Sequence, residues 1–387
     1  MSPTVPPIDA VPNAPDAPLA YRRVVVKAGT NLLTGGTDTI DAGTLAGLAA
    51  QLAALRARGG EAILVTSGAI HAGRQRVRAL PDQRGLASRQ ALAAIGQSRL
   101  MSLWDQAFEA HQVVVAQALL TRRDLADRLG YLNARNTLLA LLELGALPVV
   151  NENDVVAVDE IADSVIGDND NLSALVANLV DADLLLLLSD VEGLYDANPN
   201  TDPGARVIET VEAIDEAIER AAGSAGALGT GGMVTKLQAA RVATASGTHV
   251  VIADGGAANV ILRACLGERI GTHFLPRGDH VESRRRFLLS GLPVRGRVVI
   301  DDGAVTALAS GGSSLLPAGV VSVEGSFDRG DVVQVVARDG RHVASGTANY
   351  NAADMARISG VRSDRISTVL GYEYGEEAVH RSNLVLV

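Results

Sequence analysis

Lysine is nearly absent from this 387-residue chain: of 34 basic residues, all but Lys27 and Lys236 are arginine. Both lysines sit beside glycines. The first follows a β-branched run as Val26-Lys27-Ala28-Gly29-Thr30-Asn31, and the second ends Gly229-Thr230-Gly231-Gly232-Met233-Val234-Thr235-Lys236, a glycine turn opening a helix. An ammonium is a compact point charge, whereas guanidinium is wide and planar. Glycine lets backbone N–H groups approach an anion, and a helix start adds its own positive end. Two such loops suit phosphoryl transfer, whose transition state is stabilised by positioning and by cations on the phosphate oxygens. Neither loop has the G-x-x-x-x-G-K-[ST] order of a Walker A motif, and no G-x-G-x-x-G follows the first run.

Amides and carboxylates gather in two further places. Asn151-Glu152-Asn153-Asp154 follows an apolar run, and Gly167-Asp168-Asn169-Asp170-Asn171 opens an apolar helix. Capping that helix uses one of these side chains. The others can grip the ammonium and carboxylate of an amino acid, or help hold a metal–phosphate assembly. Small polar residues also end the runs at Thr66-Ser67-Gly68 and Ser189-Asp190. A carboxylate nucleophile, with a free pKa near ~4.3, is ionised at neutral pH and needs no general base. That fits a site without histidine, because His71, His111, His249, His273, His280, His342 and His380 make no metal-ligand spacing. No residue is assigned to a metal. Cys265, the single cysteine, reads as a buried apolar thiol.

These groups need a scaffold that brings run ends together. Strands are expected at 23–27, 62–66, 113–117, 147–151, 184–189 and 248–253, with helices at 42–58, 88–110, 133–144, 171–180 and 233–246 between them. Apolar runs without strict alternation suit central parallel strands covered on both faces. In such a sheet, ligands bind beyond the carboxyl ends of the strands. The expected fold is α/β, a three-layer α/β/α sandwich with a mainly parallel sheet. Near residue 285 the texture changes. After Arg284-Arg285-Arg286, read as a solvated linker face, short strands recur at 297–300, 320–324, 332–337 and 341–345, with one short helix near 351–358. A small, mostly β domain follows from this. The expected divisions are a disordered Pro-rich tail (1–20, six of the 13 prolines), a catalytic domain (21–285), a linker (286–294), the β domain (295–375) and a C-terminal tail (376–387).

The formal net charge of −10 disfavours nonspecific attraction to nucleic acid or anionic membrane. No apolar run reaches the ~18 residues of a membrane helix. No basic residue precedes Arg22 and no apolar h-region lies there, so a secretory leader is not expected and a cytoplasmic location is.

The segments VVVKAGTN, VTSGAI, ALLTRRD, LNARNTL, PVVNEND, GDNDNLSALVA, LLLLLSDVEGLY, GTGGMVTKLQAA, GSSLLPAGV and GYEYGEEAVHRSN, in this order from Arg22 onward, resemble the glutamate 5-kinases of the amino-acid-kinase family. The resemblance implies transfer of the ATP γ-phosphate to the side-chain carboxylate of L-glutamate, the first step of proline biosynthesis. It also implies Mg²⁺, feedback inhibition by proline and a homo-oligomer, dimer or tetramer. By motif, Lys27, Gly29 and Thr30, with Ser189 and Asp190 and the loop Thr230, Gly231, Gly232, Met233, Val234, Thr235 and Lys236, match ATP positions. Ser67, Asp154 and Asn169 match glutamate positions. Lys27, Lys236 and Asp170 resemble the catalytic set, with Asp170 orienting the lysines. Asn31 stands where serine is frequent, and the spacer between Asp154 and Gly167 is longer than usual.

The β domain resembles a PUA domain, a module that elsewhere binds RNA. Residues 295–373 balance at one net negative charge, so the basic footprint of RNA binding is missing, and a structural or regulatory role is expected. Two other readings compete: a kinase of another carboxylate, such as aspartate or N-acetylglutamate, and an RNA-binding protein acting through the β domain. The amide-rich tetrad favours a substrate with a free α-ammonium, which an N-acetylated acid lacks.

Overall fold

A computed structural model describes residues 17–77, 85–157, 169–199, 201–224, 232–277, 294–310 and 313–387. The chain divides into two compact units, one holding the sequence up to Leu125 with Ala134–Arg277, the other holding Ala126–Asn133 with the residues after Arg277. Thr230 and Gly231, residues 1–16 of the expected tail and 286–293 of the expected linker lie outside the described residues.

The first unit is built on an eight-stranded sheet. Its strands are β1 (Arg23–Ala28), β2 (Glu61–Thr66), β3 (Val115–Leu120), β4 (Leu147–Glu152), β5 (Leu184–Ser189), β6 (Thr210–Val211), β7 (His249–Asp254) and β8 (Thr272–Phe274), in spatial order β3-β4-β2-β1-β5-β7-β8-β6. Its helices are α1 (Thr30–Thr34), α2 (Ala42–Ala57), α3 (Ala69–Arg76), α4 (Leu86–Glu109), α5 (Arg122–Ala126), α6 (Arg128–Glu143), α7 (Asn169–Leu179), α8 (Glu216–Ser224), α9 (Gly232–Ala245) and α10 (Val260–Cys265), the α5–α6 junction falling in the second unit. The pairings from β3 through β7 are parallel. β4 and β5 are buried along their whole length, as a strand covered on both faces requires. Aliphatic residues fill the core around Trp104 and Phe108.

Several expectations for this unit need adjusting. The third strand starts at Val115 rather than 113, because Val113 and Val114 leave α4 through a turn in which Gln112 adopts a left-handed φ of 56°. β6 and the antiparallel β8 extend the sheet beyond β7; two or three residues are too few to carry a periodic signal. Leu19 and Ala20, assigned to the tail, belong to the folded unit: Leu19 packs on the core and the Ala20 N–H donates to the Cys265 carbonyl. Cys265 is fully buried, and burial pushes its thiol up to about 12.

His249 opens β7 beside His273 of β8, with Nδ1 and Nε2 3.0 Å apart. Burial first, and then the neighbouring His249, pull His273 down to about 4. The unfolded chain therefore takes up this proton at higher pH than the native one, and stability falls as pH drops below ~6.5, levelling near the native value. His273→Gln should lose less stability than the parent between about pH 7 and about pH 4.5, read from urea midpoints; parallel losses in both proteins would contradict this.

The second unit has a five-stranded sheet ordered β10-β9-β11-β12-β13, from β9 (Gly296–Ile300), β10 (Val320–Gly325), β11 (Val332–Ala337), β12 (His342–Thr347) and β13 (Leu384–Leu386). It carries α11 (Asp302–Ala309), α12 (Ala352–Ile358) and α13 (Ile366–Leu370), so the single expected helix, α12, has two companions. Residues 376–387 are not a free tail. β13 pairs antiparallel with β12, and Ala378, Val379 and Leu384 enter a hydrophobic core around Tyr350 and Met355. No helix among the described residues is long and apolar enough to cross a membrane.

Candidate active site

The site is built where β1, β2, β4 and β5 end. Register places Lys27 beside Val65 and Ala28 beside Thr66 on one side, and Ala28 beside Leu188 on the other. The residues that follow, Gly29, Ser67 and Ser189, therefore stand along one edge, Ser189 as the last residue of β5. A Cβ at Gly29 would stand 3.1 Å from the Lys27 Nζ, close enough that the ammonium would have to shift to make room. α1 starts at Thr30, which is half-buried. Ser189 is buried with its Oγ 3.3 Å from the Asp190 carboxylate.

Asp170 stands in the first turn of α7, between both lysines. Lys27 Nζ lies 2.5 Å from its Oδ1, and Lys236 Nζ donates to Oδ2 at 3.4 Å. The Thr235 hydroxyl donates to the same Oδ2 at 2.8 Å, and Lys236 also donates to the Gly232 carbonyl at 3.2 Å. All three charged side chains are buried. Burial alone would raise the Asp170 carboxyl, but the charges of Lys27 and Lys236 and hydrogen bonds from Lys27 and Thr235 outweigh it and hold the group below the usual carboxylate range. Two ammoniums against one carboxylate leave this trio with one net positive charge, which is what an incoming polyanion needs. On α9, Thr235 and Lys236 face inward, Met233 is half-buried, and Gly232 and Val234 face solvent.

A second cluster adjoins the first through Asn169, the residue before Asp170. Asn169 Nδ2 lies 2.6 Å from the Thr66 carbonyl, 3.0 Å from Ser67 Oγ and 2.9 Å from Asn151 Oδ1. Asn151 in turn donates from Nδ2 to Gln97 Oε1 at 2.7 Å. The Thr66 hydroxyl receives the indole N–H of the buried Trp104 at 3.1 Å, tying this strand end to the core. Asp154 follows β4 in a half-buried turn, three residues after Asn151. Gln97 escapes sequence reading because it lies mid-helix in α4. Its approach depends on the crossing of α3 and α4: a Cβ on Gly96 would fall 1.8 Å from the Ala69 carbonyl, and one on Gly73 2.0 Å from that of Leu92. The pair of glycines in otherwise helical sequence is the signal that could have marked the spot.

The lysine–aspartate trio and the amide cluster thus lie side by side, cationic on one side and rich in neutral hydrogen-bonding groups on the other. Such an arrangement can hold a phosphate chain against a small zwitterion. No cluster of three metal-binding side chains exists among the described residues. Mg²⁺ commonly binds through substrate phosphates with few protein ligands.

Residues 22–254 match the model of the amino acid kinase family, and residues 296–370 that of the PUA domain. The chain is 52% identical over 368 residues to a glutamate 5-kinase of Dehalococcoides mccartyi (strain ATCC BAA-2266 / KCTC 15142 / 195), covering 95% of this chain and 99% of the relative. It is 50% identical over 366 residues to the glutamate 5-kinase of Herpetosiphon aurantiacus, covering 94% and 98%. With the glutamate 5-kinase of Shewanella amazonensis identity is 49% over 370 residues, covering 95% and 96%. On the family match and on relatives aligned nearly end to end, the chain belongs to the amino acid kinase family and carries a C-terminal PUA domain.

Proposed function

We propose that this chain transfers the γ-phosphoryl group of ATP to the side-chain carboxylate of L-glutamate, giving L-glutamyl 5-phosphate for proline biosynthesis. The observation that carries the reading is the lysine pair converging on Asp170 directly beside the Asn169 amide cluster, in a chain so similar over its length to glutamate 5-kinases. The ionised γ-carboxylate of glutamate attacks the γ-phosphorus, the bond to the β–γ bridging oxygen breaks, and ADP leaves with the electron pair. Lys27 and Lys236 stabilise the charge that grows on the phosphate oxygens, and Asp170 holds their ammoniums in place. Gly29, Thr30, Ser189, Asp190 and the segment from Thr230 to Lys236 form the nucleotide side. Ser67, Asp154 and Asn169 take glutamate. Magnesium bound to the nucleotide would supply further charge neutralisation.

The same proposal includes proline as feedback inhibitor and a homo-oligomer (dimer or tetramer), both resting on the resemblance, and a cytoplasmic location. It places catalysis within residues 21–285, with 286–294 as linker, and gives the PUA domain a structural or regulatory role, in keeping with its slight net negative charge. Turnover of ATP with L-glutamate, L-aspartate and N-acetyl-L-glutamate, trapping the acyl phosphate as hydroxamate, tests it. One methylene is worth about 1–3 kcal/mol of discrimination, so kcat/KM for glutamate should exceed that for aspartate by roughly 10- to 100-fold. Equal values for the two, or preference for the N-acetylated acid, would sink the assignment.

A further inference from the structure

Thr66, Asn169, Asn151 and Gln97 form a relay whose direction is set from one end. A backbone carbonyl only accepts, so the Asn169 group 2.6 Å from the Thr66 oxygen must be the amide nitrogen. That nitrogen also faces Asn151 at 2.9 Å, which must therefore turn its oxygen toward it and its nitrogen toward Gln97. Gln97 answers with Oε1 at 2.7 Å. Each amide is locked against flipping by the one before it, and the relay must end on the Gln97 Nε2. This nitrogen is buried and has no hydrogen-bond partner among the described residues, and the same is true of Asn169 Oδ1. Buried donors and acceptors are normally paired, so both atoms are placed for a ligand.

We infer that Gln97 donates from Nε2 to the α-carboxylate of the amino-acid substrate and so selects which of its two carboxylates enters the lysine pair. The assignment rests on the glutamate-kinase reading above. At Asn169 the relay adjoins Asp170 and the lysines, where the reacting carboxylate belongs; from there it leads through Asn151 to α4. The remaining carboxylate of a dicarboxylic amino acid meets the donor at its far end, and the other unpartnered atom, Asn169 Oδ1, suits the α-ammonium. A neutral amide binds this carboxylate without adding a cation to compete with Lys27 and Lys236 for phosphate.

The test compares the parent enzyme, Q97E and Q97L with L-glutamate and with L-isoglutamine, which keeps the γ-carboxylate but carries an α-carboxamide. Q97E preserves the acceptor for Asn151 and nearly the same volume, but sets a carboxylate where the donor was. Its KM for glutamate should rise about 10- to 100-fold, the range for a hydrogen bond to a charged group, with kcat and KM for ATP within about threefold. Its preference for glutamate over isoglutamine should fall by about 100-fold, since a carboxamide donates to the new carboxylate. Q97L should weaken glutamate more than isoglutamine, whose carboxamide oxygen accepts only a neutral hydrogen bond from the Gln97 Nε2. Parallel losses with both substrates would make Gln97 a packing residue only, and an unchanged KM for glutamate would equally overturn the inference. If Q97L does not fold, Q97E decides; a parent enzyme that barely distinguishes the two substrates also refutes the assignment. A parent that forms no hydroxamate from glutamate would refute the kinase reading itself, and this assignment with it.

Discussion

Lys236→Arg is expected to lower kcat by about 10²- to 10³-fold while changing the KM for ATP only a few-fold, the scale seen when one transition-state contact is lost. In a chain whose other cations, Lys27 apart, are all arginine, this is the substitution its composition makes most available. Formal charge survives the exchange; geometry does not. Lys236 is buried, folded over the first turn of α9, with its ammonium shared between Asp170 and the Gly232 carbonyl. A planar fork of five donors cannot occupy that space with its charge centred on the same point. Lys27→Arg should behave alike, since the Lys27 ammonium lies so close to Gly29 that even a Cβ there would crowd it. Arginine-to-lysine changes at exposed positions such as Arg338 should be silent. Steady-state kinetics with thermal melts as a folding control measure this. A near-parental kcat in Lys236→Arg would mean that charge, not shape, is all the site uses.

Asp170→Asn should be the most damaging change to the fold at the site. It leaves two buried ammoniums facing a neutral amide, and removing one partner of a buried ion pair costs about 3–5 kcal/mol. The carboxylate holds Lys27 and Lys236 against their mutual repulsion, so activity should fall with stability, and phosphate added to the folded variant should restore part of the stability by replacing the lost negative charge. The pH dependence has a definite sign. Because the native carboxyl is held below its free-state value, its contribution is full above that value and disappears as pH falls through the native one. The variant should therefore show a smaller loss of stability on acidification than the parent. Urea unfolding across the acid range reads both effects. A variant as stable as the parent at neutral pH would show that the lysines do not need this counter-charge.

Much of the site was legible in the sequence, because a parallel α/β sheet sends every strand end to one edge. Lys27, Ser67 and Ser189 end or follow apolar runs that strand chemistry forces into the sheet, so their shared edge follows from the order of elements alone. The scarcity of lysine marked Lys27 and Lys236 before any distance was known. The bond pattern around them belongs to the tertiary structure. That Asp170 bridges the lysines, which the family resemblance implied, depends physically on how α7 and α9 lie against β1. Gln97 was invisible because a glutamine within a long helix has no periodic or compositional mark, and only the close crossing at Gly73 and Gly96 carries it to the strand ends. The short strands β6, β8 and β13 were missed for a related reason: two or three residues hold too little pattern to be read, and what makes them strands is the unpaired sheet edge that tertiary packing offers them. Local sequence determines which groups arrive at the ligand edge, whereas the direction of each hydrogen bond between them exists only once the elements are packed, since a donor is defined by the acceptor it faces.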